Sequence, residues 1–275
     1  MTIQAATAPS AHLPSPLLRE TINGIAVLTL DLPKSRNALS EAMLASLQAQ
    51  LDAIREDNAV RAVVIAANGP AFSSGHDLKE LTARRADADN GRAYFAQIMT
   101  ACSTMMQTIV NLPKPVVAAV QGLATAAGCQ LVATCDLAVA SNKATFATPG
   151  IDIGLFCSTP MVALTRNIPR KHAMHMLLTG EPVSAQRAQE LGLVNEVVAA
   201  GEERQAAIGL AKKIALKSAY TLKVGKEAFY RQAEMSLADA YRYTAQVMTE
   251  NMLARDAQEG IGAFIEKRAP KWEDR

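Results

Sequence analysis

Apolar and polar positions along this chain follow two rhythms. One is near-continuous or alternates every second residue, and the other repeats every third to fourth. Residues 23–31 (NGIAVLTLD) bracket a run of Ile, Val and Leu with turn residues, which predicts a strand that Pro33 stops. Ser40 stands as an N-cap ahead of Leu44, Leu47, Leu51 and Ile54, whose spacing predicts a helix down to residue 58. Residues 60–67 (VRAVVIAA) predict a strand buried on both faces. A helix over 93–111 follows; Pro113 and Pro115 end it, and residues 116–120 predict another buried strand. Residues 126–134 then read as helix and 137–140 as a short strand. This is the rhythm of βαβ units on a parallel sheet.

Two stretches carry no period. Residues 82–92 are charged and predict a mobile surface segment of the kind that borders ligand sites. Residues 146–160, with Pro149, Gly150, Gly154 and Pro160, predict a loop with short extended pieces. Helical spacing fills nearly everything beyond, over 161–166, 171–178, 184–191, 202–217, 222–233, 237–253 and 257–267, interrupted by an extended piece at 193–198. Leu237, Tyr241, Met248 and Met252 form one apolar stripe. The organisation is therefore a disordered leader or arm over 1–19, an α/β core over 20–200 and a helical region over 201–275.

Composition narrows the partners. The 275 residues carry a net charge of +2, with 20% charged and 49% hydrophobic side chains, so neither nucleic acid nor a membrane surface is indicated as a partner. No apolar run approaches the roughly 18 residues of a membrane span. Cys102, Cys129, Cys135 and Cys157 sit in apolar stretches and form no CxxC, which points to reduced thiols in the cytoplasm, or in the mitochondrial matrix of a eukaryote. His12, His76, His172 and His175 gain no Asp, Glu or Cys to complete a ligand set, so no metal site is expected.

The candidate chemistry lies in two runs of small residues, AFSSGHDLKEL (71–81) and ATAAGCQL (124–131), each leading from an apolar strand into a helical pattern. Glycine and alanine permit close approach, and a helix start leaves its first N–H groups unpaired and partly positive. Two such sites can hold one developing oxyanion between them. The plainer alternative is a pair of tight connections. Neither run matches G-x-G-x-x-G or a P-loop lysine signature, so phosphate cradling is not indicated.

The strings PKSRNALSEAM, AFSSGHDLKEL, GLATAAGCQLVATCDLAVAS, FATPGIDIGL and EGIGAFIEKRAPKW resemble the enoyl-CoA hydratase/isomerase (crotonase) superfamily, in its order and over nearly the whole chain. The resemblance implies a crotonase-like ββα spiral with a C-terminal α-helical trimerisation region, assembled as a homotrimer or a dimer of trimers. It implies an acyl-CoA thioester as ligand, with coenzyme A as part of the substrate and no prosthetic group. It also implies an oxyanion hole made by the backbone N–H groups of His76 and Ala127.

The chain departs from that pattern at its proton carriers. Hydratases of the family add water with two glutamates, and here Gln130 and Gly150 stand at those positions. Neither a carboxamide nor a glycine can accept and return a proton at neutral pH. His76 offers a titratable ring, in a context like that of methylmalonyl-CoA decarboxylase. Decarboxylation and thioester hydrolysis therefore stand beside hydration, and so does a catalytically silent acyl-CoA-binding trimer. Asp152 is the nearest carboxylate to the missing second glutamate. Cys157 falls where some members place a substrate-facing Asp or Tyr. Asp77 and Asp136 read as structural. The resemblance further brings Lys34, Arg36, Ser74 and Lys79 towards the coenzyme nucleotide, and Phe264 and Lys267 towards its adenine and phosphates from a neighbouring subunit.

Overall fold

The computed structural model describes residues 15–275. The leader expected over 1–19 lies mostly outside them, but its last residues do not. Strand β1 (Leu17–Ile22) runs antiparallel to β2 (Ile25–Leu30) across an Asn23-Gly24 turn in which both residues have positive φ. An Asn-Gly pair between strands is the usual sequence of that hairpin turn. Only Leu17 of β1 is buried, so the strand lacks the apolar run that marks β2.

Helix α1 (Glu41–Glu56) begins as expected, with the Ser40 hydroxyl accepting the Met43 N–H at 3.2 Å. Strand β3 (Ala62–Ala67) lies parallel to β2, and a short turn carries it into β4 (Ala71–Ser73). Residues 82–92 are more structured than their lack of period predicts. Helix α2 (Leu78–Ala83) and a 3-10 turn at Arg84–Ala86 precede α3 (Arg92–Val110), whose start Asp89 supports by accepting the Ala93 N–H. Strands β5 (Val116–Val120) and β6 (Leu123–Thr125) lead into α4 (Ala127–Thr134), and β7 (Leu137–Ser141) leads into β8 (Thr145–Ala147).

The topology follows from these pairs. Each turn of chain adds one strand to a six-stranded sheet, where β3, β5 and β7 are parallel neighbours. It adds the next strand to a four-stranded sheet, where β4, β6 and β8 are parallel neighbours. Helices close each turn. This is the ββα spiral that the resemblance implied. The second sheet was not legible from period, because its strands are only three residues long or shorter.

After β8 the chain enters a 3-10 turn (Pro149–Ile153) rather than an extended piece, then α5 (Ser158–Asn167) and α6 (Arg170–Thr179). Strand β9 (Val183–Ser184), α7 (Ala185–Leu191) and β10 (Glu196–Val198) complete the two sheets. Four helices end the chain: α8 (Glu203–Ala215), α9 (Ala219–Gln232), α10 (Leu237–Leu253) and α11 (Arg255–Glu266).

Both faces of the large sheet are covered, which is why its strands read as unbroken apolar runs. Leu28, Val63, Ile65, Val116 and Ala118 pack with residues of α1, α3 and α4. Ile25, Val27, Val64, Val117 and Val139 pack with Ala207, Ile208 and Ala211 of α8. Helix α8 thus shares the core of the sheet, and a division at residue 200 separates a helix from the face it covers.

Helix α9 is fastened to the same unit by a buried cluster. Lys226 donates to Asp136 at 2.7 Å and to the carbonyls of Ile109 and Lys114, while the Tyr230 hydroxyl donates to the other oxygen of Asp136 at 2.8 Å. Asp136 also accepts the Val116 N–H at 2.7 Å, so it is structural, as expected. The expected stripe on α10 is real but faces outward: Leu237, Tyr241, Met248 and Met252 are all exposed. Among the described residues no helix is long and apolar enough to cross a membrane.

Candidate active site

The first loop leaves β4 and is laced to an earlier stretch of chain. The buried Asn37 side chain accepts the Leu32 N–H and donates to the carbonyls of Asn68 and Ala71, all at 2.8 Å. Ser74 N–H donates to the Arg36 carbonyl at 3.0 Å, and Leu39 N–H donates to the Gly75 carbonyl at 2.7 Å. Gly75 sits at φ +86, in the left-handed region that side chains avoid. Asp77 then caps α2, accepting the N–H groups of Lys79 at 2.8 Å and Glu80 at 3.3 Å.

The second loop meets the first edge on. A Cβ on Gly75 would fall 3.0 Å from the Ala126 Cβ and 3.1 Å from the Ala127 nitrogen. A Cβ on Gly128 would fall 2.3 Å from the Ser73 carbonyl oxygen, a contact no side chain tolerates. The glycines are therefore what allow the two backbones to touch. Among the described residues, neither the His76 nor the Ala127 N–H donates to another backbone or side-chain group outside regular elements. Ala127 opens α4, so its N–H also carries the partial positive charge of a helix start.

Around this pair the polar side chains are buried and short of partners. Both ring nitrogens of His76 are buried without a hydrogen bond. Burial pushes the ring pKa below its ordinary value, and the nearby Leu39 carbonyl only partly opposes that, so the imidazole is neutral at pH 7. The Gln130 Oε1 and the Thr148 hydroxyl are buried and unpartnered as well.

The three remaining sequence candidates divide. Gly150 is buried in the 3-10 turn, where a Cβ would fall 2.7 Å from the Leu155 carbonyl oxygen and 2.9 Å from the Cys157 Sγ. Cys157 is buried against that turn; desolvation raises its thiol pKa despite the Gly150 N–H beside it, so it stays protonated. Asp152 is exposed on the turn, with Oδ2 beside Gly180 at the end of α6. Residues 149–153 form a 3-10 turn rather than the extended piece that would have set the direction of Asp152.

Lys34, Arg36 and Ser74 meet on the rim of the first loop, with the Ser74 hydroxyl 3.4 Å from the Ser35 carbonyl, and Lys79 is exposed on α2 just beyond it. None of the three cations forms an ion pair among the described residues. Phe264 and Lys267 are not brought to this rim within the chain. They lie exposed on and just after α11, which packs on α9 and α10. Sequence reasoning passed over Asn37 and Thr148. Asn37 had a signal, since a polar residue inside RNAL, just before a buried run, asks for partners. Among the described residues, no group of His, Cys, Asp and Glu is placed to hold a metal ion.

Comparison with known proteins gives these features a setting. The family described as Enoyl-CoA hydratase/isomerase matches residues 20–275. A human protein, enoyl-CoA hydratase domain-containing protein 3, mitochondrial, is 50% identical over 259 residues, which span 94% of this chain and 84% of that protein. The crystal structure of the human protein of that name superposes with a TM-score of 0.89, covering 94% of this chain and 100% of that one at 50% identity. An enoyl-CoA hydratase from Mycobacterium smegmatis superposes with a TM-score of 0.88 at 49% identity, covering 94% of this chain and 98% of the other.

Proposed function

The chain belongs to the enoyl-CoA hydratase/isomerase family, and on that premise we propose that it is an acyl-CoA enzyme that stabilises a thioester enolate between the backbone N–H groups of His76 and Ala127. The observation that carries this reading is the contact of the two loops at Gly75, which sets the Ala127 nitrogen 3.1 Å from the Gly75 Cβ position, with both N–H groups free to donate. Donors held in place before the reaction stabilise charge as it develops on the thioester oxygen. Lys34, Arg36 and Ser74 on the rim, with Lys79 just beyond it, supply charge and hydrogen bonds to the coenzyme nucleotide. The exposed apolar side chains of α10 and α11 form the contacts of a homotrimer or a dimer of trimers, and Phe264 and Lys267 of one subunit reach the coenzyme of another. Four buried free thiols accord with a reducing compartment, cytoplasmic or mitochondrial.

Two-glutamate hydration is not the reaction these residues support. Gln130 has no proton to trade, and the Leu155 carbonyl and Cys157 sulfur occupy the space beside Gly150. A lyase step in fatty acid metabolism that leans on the hole, such as decarboxylation, needs less from an acid–base pair. The neutral His76 ring, able to donate one hydrogen bond and accept another, favours that alternative over hydrolysis. A silent acyl-CoA-binding trimer is the reading in which the hole survives without chemistry.

The test is a panel of enoyl-, methylmalonyl- and 3-hydroxyacyl-CoA substrates followed by mass spectrometry, beside calorimetric titration with the same thioesters. Binding with turnover of one class supports the enzyme, and binding without turnover supports the silent trimer. No binding at millimolar thioester overturns both.

A further inference from the structure

Ala126 has a backbone conformation that alanine rarely adopts. Its φ is 50 and its ψ −120, a combination that is comfortable for glycine and strained for any residue with a Cβ. The surroundings hold it there. Its N–H donates to the Ala147 carbonyl at 3.0 Å, and its carbonyl accepts the Gln130 N–H at 3.0 Å. Its methyl group packs on Gly75, 3.0 Å from the position a Cβ would take there. These contacts hold the peptides on both sides of the Ala126 Cα, the second of which presents the Ala127 N–H.

We propose that Ala126 is a positioning residue whose methyl group, wedged between the two loops, fixes the spacing of the His76 and Ala127 N–H groups. The inference rests on the reading of those groups as an oxyanion hole. A glycine at this position would be free of strain and would keep both hydrogen bonds, but it would lose the methyl contact that holds the two loops apart. The Ala127 N–H would then lose its fixed distance from the His76 N–H. Strain at a site persists only where its surroundings over-determine it, and here they do so from three directions.

The experiment uses the full chain and acetoacetyl-CoA as probe. The carbon between its two carbonyl groups is acidic. On ionisation the proton passes to solvent, a carbon–carbon double bond forms, and the charge rests on oxygen as an enolate that absorbs in the near ultraviolet. A hole that stabilises the enolate lowers the apparent pKa of the bound probe relative to the free one. The proposal expects Ala126→Gly to bind CoA as tightly as wild type and to melt no lower, yet to hold about tenfold less enolate at a given pH, a pKa rise of about one unit. A merely structural role would move the melting temperature and leave that spectrum alone. Wild-type enolate content in Ala126→Gly overturns the proposal, as does a melting temperature that falls together with the signal. A wild-type protein that binds the probe without raising its enolate content, or fails to bind it, overturns the oxyanion-hole reading and this inference with it.

Discussion

The Cys157 sulfur lies 2.9 Å from the point where a Cβ on Gly150 would stand, with the Leu155 carbonyl oxygen 2.7 Å from it on another side. The position that resembles a catalytic glutamate is therefore closed as well as bare. Gly150→Ala is expected to destabilise the protein by about 1–3 kcal/mol, the range for overpacking a filled interior. Urea denaturation checks it. An unchanged midpoint would mean the 3-10 turn yields easily, and a glutamate there would then be worth building.

Lys226 and Asp136 form an ion pair whose side chains are only 8% and 16% exposed. Removing one partner leaves the other charge buried without compensation, at a cost of about 3–5 kcal/mol. Lys226→Met should therefore lose most of the hold of α9 on the sheet. Hydrogen exchange across residues 219–232 would register the loss locally, and equal protection in variant and wild type would contradict it.

Gly75→Ala places a methyl group where the Ala126 Cβ and the Ala127 nitrogen already lie, on a backbone at φ +86. The loops must part, and on the proposed reading one of the two donors leaves the oxyanion. Loss of a hole donor lowers kcat by roughly 100- to 1,000-fold, or about 2.7–4 kcal/mol. The comparison is kcat on whichever thioester turns over, set against CoA affinity, which should hold. Retained kcat would show that the two N–H groups do not share one oxygen.

The His76 ring has a pH signature. Its folded pKa lies below the ordinary 6.5 because burial disfavours the charged ring. The unfolded chain therefore binds the proton first as pH falls. Stability from this group is full above 6.5 and declines below it until the folded pKa is reached, at up to about 1.4 kcal/mol per pH unit. His76→Gln keeps the backbone N–H and removes that slope. Parallel stability curves for the two proteins between pH 7 and 5 would show that the ring is solvated.

Much of this was legible before the structure. Wherever burial was two-sided or a cap was explicit, the chain stated its own form. Val63 to Ile65 are apolar without interruption because α1 and α3 cover one face and α8 the other. Ser40 announced α1 by the bond it makes to Met43. The loops at Gly75 and Ala127 were legible as places of close approach.

What escaped depended on contacts between segments distant in sequence. Strand β1 buries only Leu17, so no pattern within it signals a strand; its pairing with β2 does. The strands β4, β6 and β8 exist because successive turns of the spiral stack them. The 3-10 turn at Pro149, on which Asp152 is exposed, could not be told from an extended piece by composition. The strain at Ala126 is a property of the backbone that its methyl group conceals.

The cysteines give the chain its own reporters of opening. All four are buried free thiols, on α3, within and just after α4, and ahead of α5. Burial pushes Cys102 and Cys129 up to about 12 and raises Cys135 and Cys157 as well, so none presents a reactive thiolate while its surroundings stay closed. Labelling by a thiol reagent would therefore time the breathing of one layer of the spiral after another, with peptide mapping to tell which layer opened first.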